Sequence, residues 1–116
     1  MEFAEKFASA LEAKWNDPEG AEKKRYPDFK YNVWVEHGKK YDRIFSNYTV
    51  RDSYTTGGSV HAFVEIATGR LAKAAGLAKP AMWNGELASH WNLSDPDQFG
   101  SALAAADTCG GYLYKR

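Results

Sequence analysis

The stretch "SVHAFVEIATGRLAKAAGLAKPA", residues 59–81, carries His61, Arg70, Lys73 and Lys79. An imidazole beside cationic side chains is the equipment of an anion site or of acid–base chemistry. The same segment reads as a strand, a Thr68-Gly69 turn, a short second strand "RLAKAA" and a stop at Pro80. Strands paired about that turn would bring His61 and Lys73 towards one another near its ends. The expectation is a hairpin with a usable polar face rather than a dedicated catalytic site. By strand alternation His61 lies opposite Val60, Ala62, Val64 and Ile66, as a partly exposed sheet residue.

A second group of bases, Lys30, Lys39, Lys40, Arg43 and Arg51, is interleaved with Tyr31, Trp34, Tyr41, Phe45, Tyr48 and Tyr54. Rings that stack on bases, set among cations that neutralise phosphate, are what single-stranded nucleic acid requires. The competing reading puts half of these rings in the core and leaves the bases as a solvated face. Lys plus Arg and Asp plus Glu balance at 15 each, which speaks against a general nucleic-acid binder. A small anionic, nucleotide-like ligand needs only one or two of these bases. The candidate ligand-binding residues are therefore Lys40, Arg43, Arg51, His61 and Lys73, together with Trp83 and Trp91.

Catalytic patterns are missing from the sequence. His37, His61 and His90 stand apart, and Cys109 has no CxxC partner, so neither metal-ligand spacing nor a cofactor is called for. Cys109 follows a predicted helix, near the negative end of its dipole, where a thiol is not activated. There is no GxSxG elbow, phosphate loop or GxGxxG fingerprint, and Gly57-Gly58-Ser59 is too short to cradle phosphate. A small hydrolase or transferase using His61 or His90 is the minor alternative.

The elements that must position these residues follow from periodicity. Phe3, Ala4, Phe7, Ala8, Leu11 and Trp15 recur at helical spacing over residues 2–15, and Asn16 to Gly20 ends that helix. Glu22 to Arg25 reads as solvated linker. From Phe29 the period becomes two, with Phe29, Tyr31, Val33 and Val35 on one face. His37-Gly38-Lys39 turns this strand into "KYDRIFSNYTV", its antiparallel partner. Residues 76–97 show no clean period and read as a long loop pinned by Met82, Trp83, Leu87, Trp91 and Leu93. Ser94 to Asp97 starts a second helix with an apolar stripe of Phe99, Ala102, Leu103 and Ala106, stopped by Gly110-Gly111. The tail "GGYLYKR" adds an edge strand or closes over the core. The chain is therefore one α+β domain over 1–116, with an N-terminal helix and a C-terminal helix packed on a mainly antiparallel sheet of about four strands.

A single cysteine fits a reducing compartment, and the charged N-terminus lacks the apolar stretch of a signal peptide. A cytoplasmic protein without a membrane span is expected.

"KYDRIF" followed by "SVHAFVEIATGRLAKAAGLAKPA" resembles small uncharacterised proteins encoded by tailed bacteriophages. Their K-Y-x-x-I strand precedes S-V-H-A-F-V, a T-G turn and K-A-A-x-x-K-x-P-A. Here the matching positions are Lys40, Tyr41 and Ile44, then Ser59 to Val64, Thr68-Gly69, Lys73 to Ala75, and Pro80-Ala81. The pattern's aromatic after Gly76 and its bases after Ala81 are replaced by Leu77 and "MWNGELASHW". The resemblance implies a phage accessory protein, without enzymatic activity, that binds a host protein or a small anionic ligand, with countering host defence as its role. A single-stranded nucleic-acid binder is the alternative, and self-association through an exposed aromatic patch stays open.

Overall fold

The computed structural model describes residues 2–114. Helix α1 (Phe3–Asn16) buries Ala4, Phe7, Ala8, Leu11 and Trp15, the stripe its spacing predicts. After one short turn of helix, α2 (Ala21–Arg25), the chain enters β1 (Phe29–Glu36) and β2 (Tyr41–Val50). The supposed linker is thus helical, because Gly20 leads into it and the Lys23 ammonium donates to the Phe29 carbonyl, tying the turn to β1.

The main sheet is antiparallel, in the order β1-β2-β4-β5-β8, with β3 (Tyr54–Thr55) beside β2. Strands β4 (Ser59–Glu65) and β5 (Arg70–Ala72) form the hairpin about Thr68-Gly69, and β8 (Ser89–Asn92) adds the far edge. Six strands replace the four expected, and the molecule is an α+β domain with its helices packed on the sheet. Of the added strands, β3 follows β2 directly and β8 comes from the region read as a loop, which also holds a separate small sheet. There β6 (Met82–Trp83) and β7 (Glu86–Leu87) make a separate hairpin about Asn84-Gly85, both residues at positive φ. Asn-Gly is the pair that a two-residue turn of this hand requires.

Tyr31, Ile44, Ala62, Val64 and Leu71 line the inner face of the sheet against α1 and α3 (Pro96–Ala105). Asp95 caps α3 by accepting from the Asp97 and Gln98 amides, with Pro96 in the first turn. At its other end α3 is closed from outside. The Lys14 ammonium of α1 donates to the carbonyls of Leu103, Ala104 and Ala106 at 2.7, 2.9 and 2.8 Å. Of these only the Leu103 carbonyl also accepts within the helix end, from the Ala106 N–H at 3.2 Å, so one side chain of α1 completes the end of α3.

The tail closes over the core as a short 3₁₀ turn, Gly111–Leu113, with Leu113 buried. Its last two bases, Lys115 and Arg116, lie outside the described residues. No helix is long and apolar enough to cross a membrane among the described residues.

Candidate binding surface

His61 is not the partly exposed residue that alternation predicts. Ile44 pairs with Ala62 and Phe45 with Val60, so His61 is an extra residue in β4, a bulge. The bulge shifts the side-chain pattern by one. His61 turns inward, edge-on to Trp15 with ring centroids 5.1 Å apart, and its Nε2 shares a 2.7 Å hydrogen bond with the Tyr112 hydroxyl. Val60 instead joins Phe45 on the outer face, and Ile66 is exposed beyond the strand end. Burial pushes the His61 pKa down to about 4, against a smaller opposing pull from Asp107, and pushes the Tyr112 hydroxyl far up. This histidine is a neutral core group.

The Thr68-Gly69 turn is equally committed. Glu65 accepts from Thr68 Oγ1 at 2.5 Å and from Arg70 Nε at 3.0 Å, so the Arg70 guanidinium is held inside its own hairpin. The Thr68 hydrogen bond holds the Glu65 carboxyl below the usual range, helped by Arg70 and Lys40. His61 and Lys73 do not form a joint site, because they take different rings of the tail. His61 bonds Tyr112, and the Lys73 ammonium sits 4.9 Å over the Tyr114 ring.

The basic hairpin does not converge either. Arg43 pairs with Glu36, donates to the Leu77 carbonyl and lies over Phe45, which stacks on Trp34. Arg51 pairs with Asp28 at the opposite end of β2. Eight residues of strand separate the two arginines, roughly 27 Å. Tyr31 and Tyr48 belong to the inner face, with the core. Lys40 lies over Tyr41, beside a small hollow under the β6–β7 hairpin.

Two of the candidate residues do meet. Lys73, Met82, Trp83, Ala88, Leu113 and Tyr114 line a groove of about 490 Å³. Its walls stand proud of the surface: Met82 is 51% exposed, Tyr114 55% and Trp83 67%. The Asn84-Gly85 turn holds Trp83 and Met82 in place, and Trp91 positions the other wall by donating its indole N–H to the Tyr112 carbonyl at 2.9 Å. Among the described residues no carboxylate pairs with Lys73, whose ammonium, besides facing the Tyr114 ring, makes one long 3.4 Å hydrogen bond to the Ala74 carbonyl. The groove thus offers exposed apolar and aromatic walls and one available cation. Met82 and Tyr114 were not among the candidates. The "MWNGEL" run, a two-residue Asn-Gly turn between apolar pairs, carried the signal for this hairpin.

A second cluster was invisible in the sequence. Glu2 and Glu5, from the start of α1, and the buried Asp42 of β2 surround His37 in the β1–β2 turn at 3.0–3.1 Å. Glu2, His37 and Asp42 place ligand-type atoms within 4.8 Å of one another, a spacing that could hold a metal ion. The same distances suit hydrogen bonds from an imidazolium, and the Asp42 hydrogen bond leads the groups that raise the His37 pKa. The cluster therefore clamps the start of α1 to the β1–β2 turn. Its contribution is complete below pH 6.5 and is lost as pH rises through the raised pKa. By NMR titration His37 is expected to have a midpoint above 6.5 that falls in Asp42→Asn. A midpoint at or below 6.5 would refute the clamp.

A family model described as a family of unknown function, DUF7717, matches residues 1–115. The chain belongs to DUF7717. No curated protein and no solved structure matches it. The family match spans both the groove and the tail residues that wall it.

Proposed function

We propose that this DUF7717 protein is a non-enzymatic accessory protein that binds a partner protein through the Met82–Trp83–Tyr114 groove. The exposed Trp83 on the β6–β7 hairpin beside an available Lys73 carries this reading. Large exposed rings at the centre of an apolar patch dominate protein interfaces, and the cation selects a partner that presents an acidic residue next to its apolar contact. The prominence of the walls favours a protein over a small anionic ligand, since small molecules bind in recesses that bury most of their surface. The resemblance of residues 39–81 to tailed-phage proteins supports a host protein as the partner and the host cytoplasm as the setting. The scattered bases of β1 and β2 weigh against nucleic acid.

Affinity capture from bacterial host lysate should retain a protein on the wild-type chain and on Arg51→Ala but not on Trp83→Ala. With that partner purified, Trp83→Ala should weaken binding about 30-fold or more, and Lys73→Glu should also weaken it. Equal retention by all variants, or no protein retained by wild type, would overturn the proposal. A small molecule released on denaturing the wild-type chain and missing from Trp83→Ala would redirect it to ligand capture.

A further inference from the structure

We propose that Glu2, His37 and Asp42 bind a divalent transition cation of the Zn²⁺ type at the junction of α1 with the β1–β2 turn. Each residue offers one ligand atom, and the three atoms lie within 4.8 Å of one another. His37 Nδ1 stands 3.1 Å from both Glu2 Oε2 and Asp42 Oδ1. Tetrahedral Zn²⁺, with bonds of about 2.1 Å, sets neighbouring ligand atoms about 3.4 Å apart. Two edges of the triangle are therefore near the required length. Glu2, half-exposed just before α1, has the freedom to adjust the third.

The imidazole is already oriented for this task. Its Nε2 lies 3.0 Å from Glu5 Oε1, three residues on from Glu2. An Nε2 proton donated to Glu5 leaves the Nδ1 lone pair facing Glu2 and Asp42. This is the usual arrangement of a metal-bound histidine, which gives its other ring N–H to a carboxylate. When Nδ1 carries a proton instead, that one N–H serves Asp42, and Glu2 stays at 3.1 Å outside hydrogen-bond geometry. A proton thus satisfies one carboxylate of the pair, and a metal ion satisfies both.

Asp42 supplies an independent reason for a cation. Its side chain is only 5% exposed, yet among the described residues no lysine or arginine pairs with it, with Glu2 or with Glu5. Its Oδ1 takes the contacts from His37 and the Gly38 amide, while Oδ2 accepts no hydrogen bond from the described residues. That oxygen is not sealed in, because the Trp15 indole nitrogen is the one partnerless side-chain polar atom closed to solvent among those residues. Asp42 and Glu2 together line a surface recess of about 240 Å³. Buried carboxylates are paired with cations or coordinate metals, and three carboxylates around one imidazole leave negative charge that a divalent ion offsets. A set with an imidazole suits Zn²⁺, whereas Mg²⁺ and Ca²⁺ take oxygen ligands alone. Three protein ligands leave the fourth tetrahedral position to water.

The test is calorimetric titration of the untagged full chain with ZnCl₂, with thermal unfolding followed in parallel. One Zn²⁺ per chain and a rise in Tm are expected. Glu5→Gln should weaken binding about tenfold, because it loosens the ring without removing a ligand. His37→Ala and Glu2→Gln, both at half-exposed positions, should weaken it further, with circular dichroism confirming that the fold is kept. His90→Ala and Cys109→Ser should bind as the wild type does. No Zn²⁺ bound by the wild type, wild-type affinity in His37→Ala, or loss of binding in Cys109→Ser alone would overturn the site. Displacement of Zn²⁺ by equimolar Mg²⁺ would overturn the imidazole-bearing class.

Discussion

Between pH 6.5 and about 4.5 the protein is expected to lose about 2–3 kcal/mol of stability through His61 alone. In the unfolded chain this imidazole protonates near 6.5, whereas in the fold burial against Trp15 and Tyr112 holds its pKa at about 4. The depressed folded value means that its contribution is complete above 6.5 and is lost as pH falls towards 4. His37 has the opposite sign, but below 6.5 it is protonated in both states and adds no slope. Glu65, with a lowered pKa, adds its own loss only below about 4.5. The slope of urea stability between pH 6.5 and 4.5, with pH 7 measured as a reference, therefore isolates His61. His61→Phe should be less stable than wild type at pH 7, because Tyr112 loses its partner, yet show a nearly flat profile through this window. The same slope in the variant would contradict the buried neutral histidine.

Lys14→Met is expected to cost about 2–3 kcal/mol and to lower Tm by on the order of 10 °C. The substitution keeps the alkyl stem and removes three charge-assisted hydrogen bonds to the end of α3. The Leu103 and Ala106 carbonyls are part-buried, so water replaces the ammonium poorly, while the exposed Ala104 carbonyl recovers its bond to solvent. Burial also lowers the Lys14 pKa, partly offset by Glu22 and Asp107, which keeps the charge near these carbonyls. The loss should appear first as faster amide exchange in the last turn of α3. A loss below 1 kcal/mol would mean that solvent, not Lys14, closes that helix.

What was legible in the sequence was whatever a single period could carry. The α1 stripe from Ala4 to Trp15, the inward set Tyr31 and Val33 on β1, the Asp95-Pro96 cap and the Thr68-Gly69 hairpin all appear where their patterns place them. His61 failed because one bulge between Ile44 and Phe45 inverts the alternation that placed it, and a bulge leaves no mark in strand periodicity. The β6–β7 hairpin was missed because its strands are two residues long, too short for a period, although Asn84-Gly85 was there to be read. The His37 clamp joins positions 2, 5, 37 and 42, a convergence made only by packing α1 across the β1–β2 turn. Of the candidate residues, Lys73 and Trp83 share a site. Arg43 and Arg51 are committed to carboxylates, and Trp91 serves as a brace behind the groove.

The central claim is that the hairpin tip and the tail form one recognition surface. Its most direct test is amide hydrogen exchange of the free protein against its complex with the captured partner. Protection is predicted at residues 81–88 and 112–114, with β1 and β2 unchanged. Protection confined to the β1–β2 hairpin, with the Trp83 segment exchanging as in the free protein, would contradict it.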